Sequence, residues 1–541
     1  MPQQTRRVLS WTGVLLPLYI LSGAQAQNLS TSVSHAQFVT RCGSFASKAS
    51  IPGTTIYFSQ YVAAGTNLSL AENEPSCGIT HWTVPVDICR LGMAVPSSNT
   101  SEISVEAWLP FNYTGRFLAT TNRGLGGCKS ILYNELDYAT SLGFASVGMN
   151  TGYNSSTAAP MLNNENAIAD YAYRSAHLGT VAGKEVTKVF YGAPSRKSYY
   201  LGCSSGGRQG FKEAQDFPED FDGILAGSPA LALTRVVSWG AYLSQAVGSP
   251  DSDTFITDDK WALIQEEVLR QCDKIDGAAD GILENPDMCQ FVPEVLLCDG
   301  ARTTRCLTPK QAEAVRNIFS PVYGVDGKLL YPRMQPGINT KRVVPFYFNG
   351  LPSDLSEDWF RHVVYNDTTW DGRTFTLNDA AVALAQNPFN VETWNGNLSA
   401  FAARNGKLLS YHGLQDYVIS PEISQLYYSH VSRTMNLTPS KLDNFYRLFM
   451  ISGMDHCRDG DGAWAIGQDE SSKARRRPNE NALMALVRWV EEGVAPEVLR
   501  GTKLGQDGVT PEFWRAHCKW PKKNRYVGPG APTNEGSWVC V

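Results

Sequence analysis

The chain has 541 residues, 43% hydrophobic and 18% charged, a balance that suits a globular protein with a large core and excludes a disordered or fibrous one. Lysine and arginine number 47 against 52 acidic residues, so the formal net charge of -5 offers no basic surplus for a phosphate backbone. Nucleic acid is thereby excluded as a partner, and a neutral or weakly acidic substrate fits better.

Residues 1–26 read as a secretory signal: Arg6 and Arg7, an apolar run from Val8 to Leu21, then Ala24-Gln25-Ala26 before the expected cleavage. No later stretch approaches the roughly 20 apolar residues of a membrane span, so the mature chain is expected to be secreted, soluble and free of any membrane partner. Eight Asn-x-Ser/Thr sequons, at Asn28, Asn67, Asn99, Asn112, Asn154, Asn366, Asn397 and Asn436, agree with passage through an oxidising, glycosylating compartment. The twelve cysteines show no CxxC pair and no Cys/His zinc spacing, which points to six disulfides.

From about Ser101 to Ala226, short β-branched or aromatic runs alternate with helical ones. Strands are expected at Ser104 to Leu109, Arg116 to Thr120, Phe144 to Met149, Ser198 to Leu201 and Asp222 to Ala226, with a helical stretch from Asn166 to Phe190. Such alternation implies a mainly parallel sheet with helices against it. After Gly227-Ser228-Pro229-Ala230 the character changes to Trp/Tyr-containing helices and cysteine-rich loops, which predicts an inserted lid domain over 228–395 between core segments 27–227 and 396–541. Within it, Thr257 precedes a run with Trp261, Ile264 and Val268 on one face, and Thr308-Pro309 supplies an N-cap and N1 proline. Strands return at Lys407 to Tyr411 and Tyr446 to Ser452. A last amphipathic helix carries Leu483, Leu486, Val487 and Val490 on one stripe and stops at Gly493. The basic run Lys473 to Arg477 reads as a solvated loop or a processing site.

Gly202-Cys203-Ser204-Ser205-Gly206 is a G-x-S-x-G motif between a strand and a helix, the context of a nucleophile elbow in an α/β-hydrolase fold. A serine hydroxyl needs a base, and the base a carboxylate that fixes its tautomer. In that fold the order is serine, acid, histidine, the last two on loops after late strands. Asp416 and His456 occupy those places. His412 competes as base but precedes its loop's aspartate, and a buried structural role suits it better. His35, His81, His177, His362, His430 and His517 lack comparable context. Asp455, the rival acid, is a sequence neighbour of the histidine it would have to face. Cys203 precedes the nucleophile and Cys457 follows the base, so a hydrogen bond between Ser204 and His456 would bring the two cysteines within the roughly 4.4–6.8 Å Cα separation of a disulfide. The oxyanion hole is expected from the N–H of Ser205 and from Gly124 in the loop Asn122-Arg123-Gly124-Leu125-Gly126-Gly127.

Cys272-Asp273-Lys274-Ile275-Asp276-Gly277-Ala278-Ala279-Asp280-Gly281-Ile282 sets three carboxylates and two glycines in a tight turn. Hard oxygen ligands with main-chain carbonyls suit Ca²⁺, in a spacing unlike an EF-hand. A Cys272–Cys289 bridge would close the region.

Gly202 to Gly210, Tyr411-His412-Gly413 leading to Asp416, Gly453-Met454-Asp455-His456-Cys457 and the aspartate-rich loop together resemble the tannase and feruloyl esterase family over nearly the whole mature chain. The resemblance implies a Ser204, Asp416, His456 triad, a Cys203–Cys457 bridge, and a structural calcium held by Asp273, Asp276, Asp280 and the carbonyls of Ala278 and Ile282. It further implies pairings Cys42–Cys89, Cys77–Cys128, Cys298–Cys306 and Cys518–Cys540. Arg123 stands where relatives usually carry glycine, with room to narrow the cleft or to reach a substrate carboxylate. The expected activity is hydrolysis of hydroxycinnamate esters of plant cell-wall polysaccharide, without an organic cofactor. The alternatives are a tannase acting on galloyl esters with the same triad, or a hydrolase-fold binding module that has no need of Ser204.

Overall fold

The computed structural model describes residues 34–70, 73–301, 303–469 and 477–541. The signal segment 1–26, the sequon at Asn28 and the basic residues 473–476 lie outside the described residues.

The architecture is an α/β-hydrolase fold built on a nine-stranded sheet. Its strands are β1 (Thr55–Val62), β2 (Ile88–Pro96), β3 (Glu102–Pro110), β4 (Arg116–Thr120), β5 (Phe144–Met149), β6 (Lys197–Cys203), β7 (Gly223–Gly227), β8 (Lys407–Gly413) and β9 (Tyr446–Ile451), in the spatial order β1-β2-β3-β5-β4-β6-β7-β8-β9. The six strands from β5 to β9 run parallel. β1, β2 and β3 form an antiparallel edge. A sequence reading that starts at Ser101 misses β1 and β2, because β1 alternates half-exposed positions while β2 is almost wholly buried, so the two share no common pattern.

Parallel strands bury both faces, and alternate side chains of β4 show it. Phe117 and Ala119 join Val186 and Phe190 of the helix Ser175–Tyr191 in one core, while Leu118 joins Leu483 and Leu486 of the helix Ala482–Glu492 in the other. Gly493 ends that last helix with φ 73°. The expected helix Asn166–Phe190 is interrupted: a π-helical segment, Asp170–Arg174, widens it where Tyr171 turns inward.

β7 and β8 are paired neighbours, from Gly223 against Lys407 to Gly227 against Tyr411, yet the chain between them runs through residues 228–406. This insertion leaves the sheet at its carboxyl edge and packs a core of its own around Trp239, Trp261 and Trp359, which also takes in Leu125, Tyr153 and Tyr171 from the main domain. Thr308 and Gln311 form a reciprocal capping box before Pro309–Ile318. Thr257 occupies its N-cap position but spends its hydroxyl on the Asp259 carboxylate, a side chain within reach in the same turn. Beyond the last helix, β10 (Val498–Leu504) and β11 (Pro511–Cys518) form an antiparallel hairpin.

The structure pairs Cys42–Cys89, Cys77–Cys128, Cys203–Cys457, Cys272–Cys289, Cys298–Cys306 and Cys518–Cys540. The seven described sequon asparagines are all exposed.

Candidate active site

β6 ends in a sharp turn at Ser204, whose φ of 64° and ψ of -125° lie in a region that non-glycine residues seldom occupy, at a cost on the order of 1–3 kcal/mol. Three main-chain bonds hold it there: Ser204 N–H donates to Gly227 O at 3.0 Å, Arg208 N–H to Ser204 O at 2.9 Å, and Ala230 N–H to Ser204 O at 3.1 Å. The glycines permit the approach. A Cβ on Gly202 would meet the Gly206 backbone at 2.7 Å, and one on Gly207 would meet Gly227 O at 2.4 Å. The helix Ser205–Asp216 begins immediately after, so its unpaired N–H groups and positive dipole end lie beside the hydroxyl.

Asp416 sits on the turn after β8, fully buried. One carboxylate oxygen accepts the N–H groups of Val418 and Ile419, each at 2.9 Å. The other lies 2.8 Å from His456 Nδ1 and 3.1 Å from His412 Nε2. Burial alone would push this carboxyl up, but the facing histidines outweigh it and hold the group well below the usual carboxylate range. His412 Nε2 also lies 3.1 Å from Ile419 O, and its Nδ1 2.7 Å from Ser424 Oγ. Two acceptors at Nε2 place the proton on that nitrogen. Asp455 turns away, to an ion pair with Arg342.

Ser204 and His456 line the same cavity, of about 790 Å³, roofed by Leu233, Val236, Phe346, Leu351 and Leu355 of the insertion. The Cys203–Cys457 bridge ties the two loops at a Cα separation of 6.0 Å. Ser205 and Gly124 line this cavity as well, Gly124 with φ 59°. Between them stands Tyr171, a residue the motifs did not mark. Its hydroxyl is 2.9 Å from Gly124 O and 3.1 Å from Ser205 Oγ, and burial raises its pKa, so it stays a neutral donor. It lies in the π-helical segment Asp170–Arg174, on the buried face that Ala167, Ile168 and Ser175 share, where an apolar position reads as core and not as a site residue. Arg123 also lines the cavity, but its guanidinium is engaged by Glu135.

The aspartate-rich loop folds as a 3-10 turn, Asp273–Asp276, followed by Gly277 and Gly281 at φ 97° and 79°. Asp273 accepts the Gly281 N–H at 3.0 Å, Asp276 those of Ala278 and Glu284 at 3.0 Å each, and Asp280 that of Ile282 at 3.2 Å. Burial and the neighbouring Asp280 raise the Asp273 carboxyl; burial, with Glu284 and Asp280 adding to it, pushes Asp276 up to about 6. Arg515 bonds Asp280 at 3.0 Å and also pairs with Glu284. An all-oxygen donor set in which Asp280 adds its charge to both Asp273 and Asp276 suits a hard divalent cation, though the three carboxylates do not bring their ligand atoms within 4.8 Å of one another. Elsewhere His177, Glu213 and Asp220 bring potential ligand atoms within 4.8 Å of one another, but His177 Nδ1 and Asp220 already share a hydrogen bond of 2.6 Å.

The geometry agrees with what the chain is similar to. Residues 89–541 match the family model for tannase and feruloyl esterase. A protein of Aspergillus terreus, described as probable feruloyl esterase B-2, is 50% identical over 506 residues, covering 93% of this chain and 95% of its own. The crystal structure of feruloyl esterase B from Aspergillus oryzae superposes with a TM-score of 0.90 at 48% identity, covering 93% of this chain and all (100%) of that one. The tannin acyl hydrolase of Aspergillus niger shares the fold, with a TM-score of 0.72 at 21% identity over 94% of this chain and 95% of its own. The chain belongs to the tannase and feruloyl esterase family of carboxylic ester hydrolases.

Proposed function

We propose that the chain is a secreted serine esterase that hydrolyses feruloyl and related hydroxycinnamoyl esters of plant cell-wall polysaccharide. The observation that carries this reading is the convergence of a strained Ser204 and an Asp416-bound His456 on one lid-covered cavity. Ser204 Oγ attacks the ester carbonyl while His456 takes its proton, and the N–H groups of Ser205 and Gly124 receive the developing oxyanion. His456 then protonates the leaving alcohol, and a water activated by the same imidazole releases the acid. Asp416 keeps the Nδ1 proton of His456 in place, leaving Nε2 free to accept. The apolar roof and a volume within the roughly 300–1,000 Å³ of small-molecule pockets suit an aromatic acyl group.

Calcium bound by Asp273, Asp276, Asp280 and the carbonyls of Ala278 and Ile282 is part of the same proposal. These residues would hold the cation, which would offset the negative charge of the three carboxylates and brace the insertion. The exposure of all seven described sequons supports glycosylation in a secretory pathway.

The test is hydrolysis of methyl ferulate, methyl caffeate and methyl gallate by the purified protein, with Ser204→Ala beside it. Cinnamates cleaved well, gallate poorly and a nearly inactive variant are expected. Preference for gallate would make it a tannase, and full activity in the variant would remove Ser204 from the mechanism.

A further inference from the structure

His456 borders two cavities. The first is the lid-covered one that contains Ser204; the second, of about 720 Å³, is lined by Tyr417, Asp459, Trp464, Lys503, Gln506 and Glu512 besides His456 itself. Its outer wall is the tip of the β10–β11 hairpin, and the hairpin is anchored to the histidine's own loop: Lys503 Nζ donates to Gly460 O at 2.7 Å, and Thr502 bridges to Ala465.

Ester cleavage assigns each cavity a half of the substrate. As the bond from Ser204 Oγ to the acyl carbon forms and the tetrahedral intermediate collapses, the carbon–oxygen bond to the alcohol breaks. The electron pair leaves on that oxygen, and the proton it takes comes from His456. The leaving group must therefore lie against His456 while the acyl group stays beside Ser204. We infer that the second cavity is the leaving-group subsite and that it receives the carbohydrate half of the ester. This assignment rests on the esterase reading above and extends it to the alcohol.

The lining suits a neutral polyol. Its cations Arg342, Arg458 and Lys503 are matched by Asp455, Asp459 and Glu512, so no net field selects for an ion. The side chains of Asp459, Gln506 and Glu512 make no hydrogen bond among the described residues, which leaves acceptors and an amide for sugar hydroxyls. Tyr417 and the edge of the largely buried Trp464 supply aromatic surface beside these polar groups, the usual composition of a small-molecule site.

The experiment compares kcat/KM for methyl ferulate and for a feruloylated arabinoxylan oligosaccharide, in the full-length protein and in Gln506→Ala/Glu512→Ala. Both positions are exposed on the hairpin tip, so the fold is retained. The oligosaccharide-to-methyl ratio falls about tenfold, mainly through KM, the loss expected for a few hydrogen bonds to the sugar. The conservative Gln506→Asn/Glu512→Gln restores part of it. A ratio that does not move, or an equal fall on both substrates, overturns the subsite. Failure of the parent to cleave methyl ferulate overturns the proposed function instead, and the sugar assignment with it.

Discussion

Asp416→Asn is the sharpest probe of the site, because the four contacts of the carboxylate dictate how an amide must sit. One oxygen accepts two backbone N–H groups, from Val418 and Ile419 at 2.9 Å each; the other faces His456 Nδ1 at 2.8 Å and His412 Nε2 at 3.1 Å. Asparagine offers one oxygen and one NH2. The backbone donors cannot reverse, so the amide oxygen stays with them and the NH2 turns towards the imidazoles. His412 keeps its Nε2 proton on Ile419 O at 3.1 Å, and His456 has to present Nδ1 as an acceptor. Its proton then moves to Nε2, the nitrogen that must take the Ser204 proton, and the base is disabled. The expected loss in kcat is about 10⁴-fold, or about 5 kcal/mol of barrier. Initial rates on methyl ferulate read this loss, and thermal unfolding shows that the variant is folded. A folded variant keeping more than a tenth of the parent kcat refutes the assignment of Asp416 as the acid. The pH dependence adds an independent check. A carboxyl held below its usual range contributes stability that is present above its unfolded pKa, near 4, and is lost as pH falls through the lower folded value. The gap in Tm between parent and variant therefore narrows on acidification below about pH 4.

Tyr171→Phe removes the hydroxyl between Gly124 O and Ser205 Oγ, and kcat falls about tenfold with KM nearly unchanged, since only the oxyanion donors lose their support; an unchanged kcat would mean the loop holds itself. Replacing both Cys203 and Cys457 by serine opens a link spanning 254 residues, worth about 5 kcal/mol at most by chain entropy, so Tm drops and kcat falls with it as the loops separate. A drop in Tm with kcat intact would show that the bridge serves stability alone. Calcium chelation lowers Tm, because a cation held at 100 times its Kd adds about 2.7 kcal/mol. Calcium affinity weakens as pH falls below about 6, where protons compete for Asp276. In the chelated protein the sign reverses: a raised carboxyl costs stability as pH rises from about 4 to 6, so Tm declines over that range. Calorimetry with and without chelator reads both effects, and a Tm indifferent to calcium would remove the metal from the proposal.

The sequence by itself determined the local chemistry. The glycines around Ser204 announce a turn in which backbones nearly touch, and the Cβ clearances at Gly202 and Gly207 give that requirement its physical form. The largely apolar runs of β5 and β7, buried at every position, mark strands covered on both faces. The change of composition after Gly227 marks the point where the chain leaves the sheet. Each of these signals is confined to a few neighbouring residues, and that is why it can be read along the chain. Only the tertiary structure decided what depends on elements far apart in sequence: the antiparallel edge of β1 and β2, the inward turn of Tyr171 at a π-helical widening, the two histidines on one oxygen of Asp416, and the second cavity against His456 closed by a hairpin about fifty residues further on. Those arrangements follow from the packing of one element on another, and no periodicity within a single element encodes its neighbour.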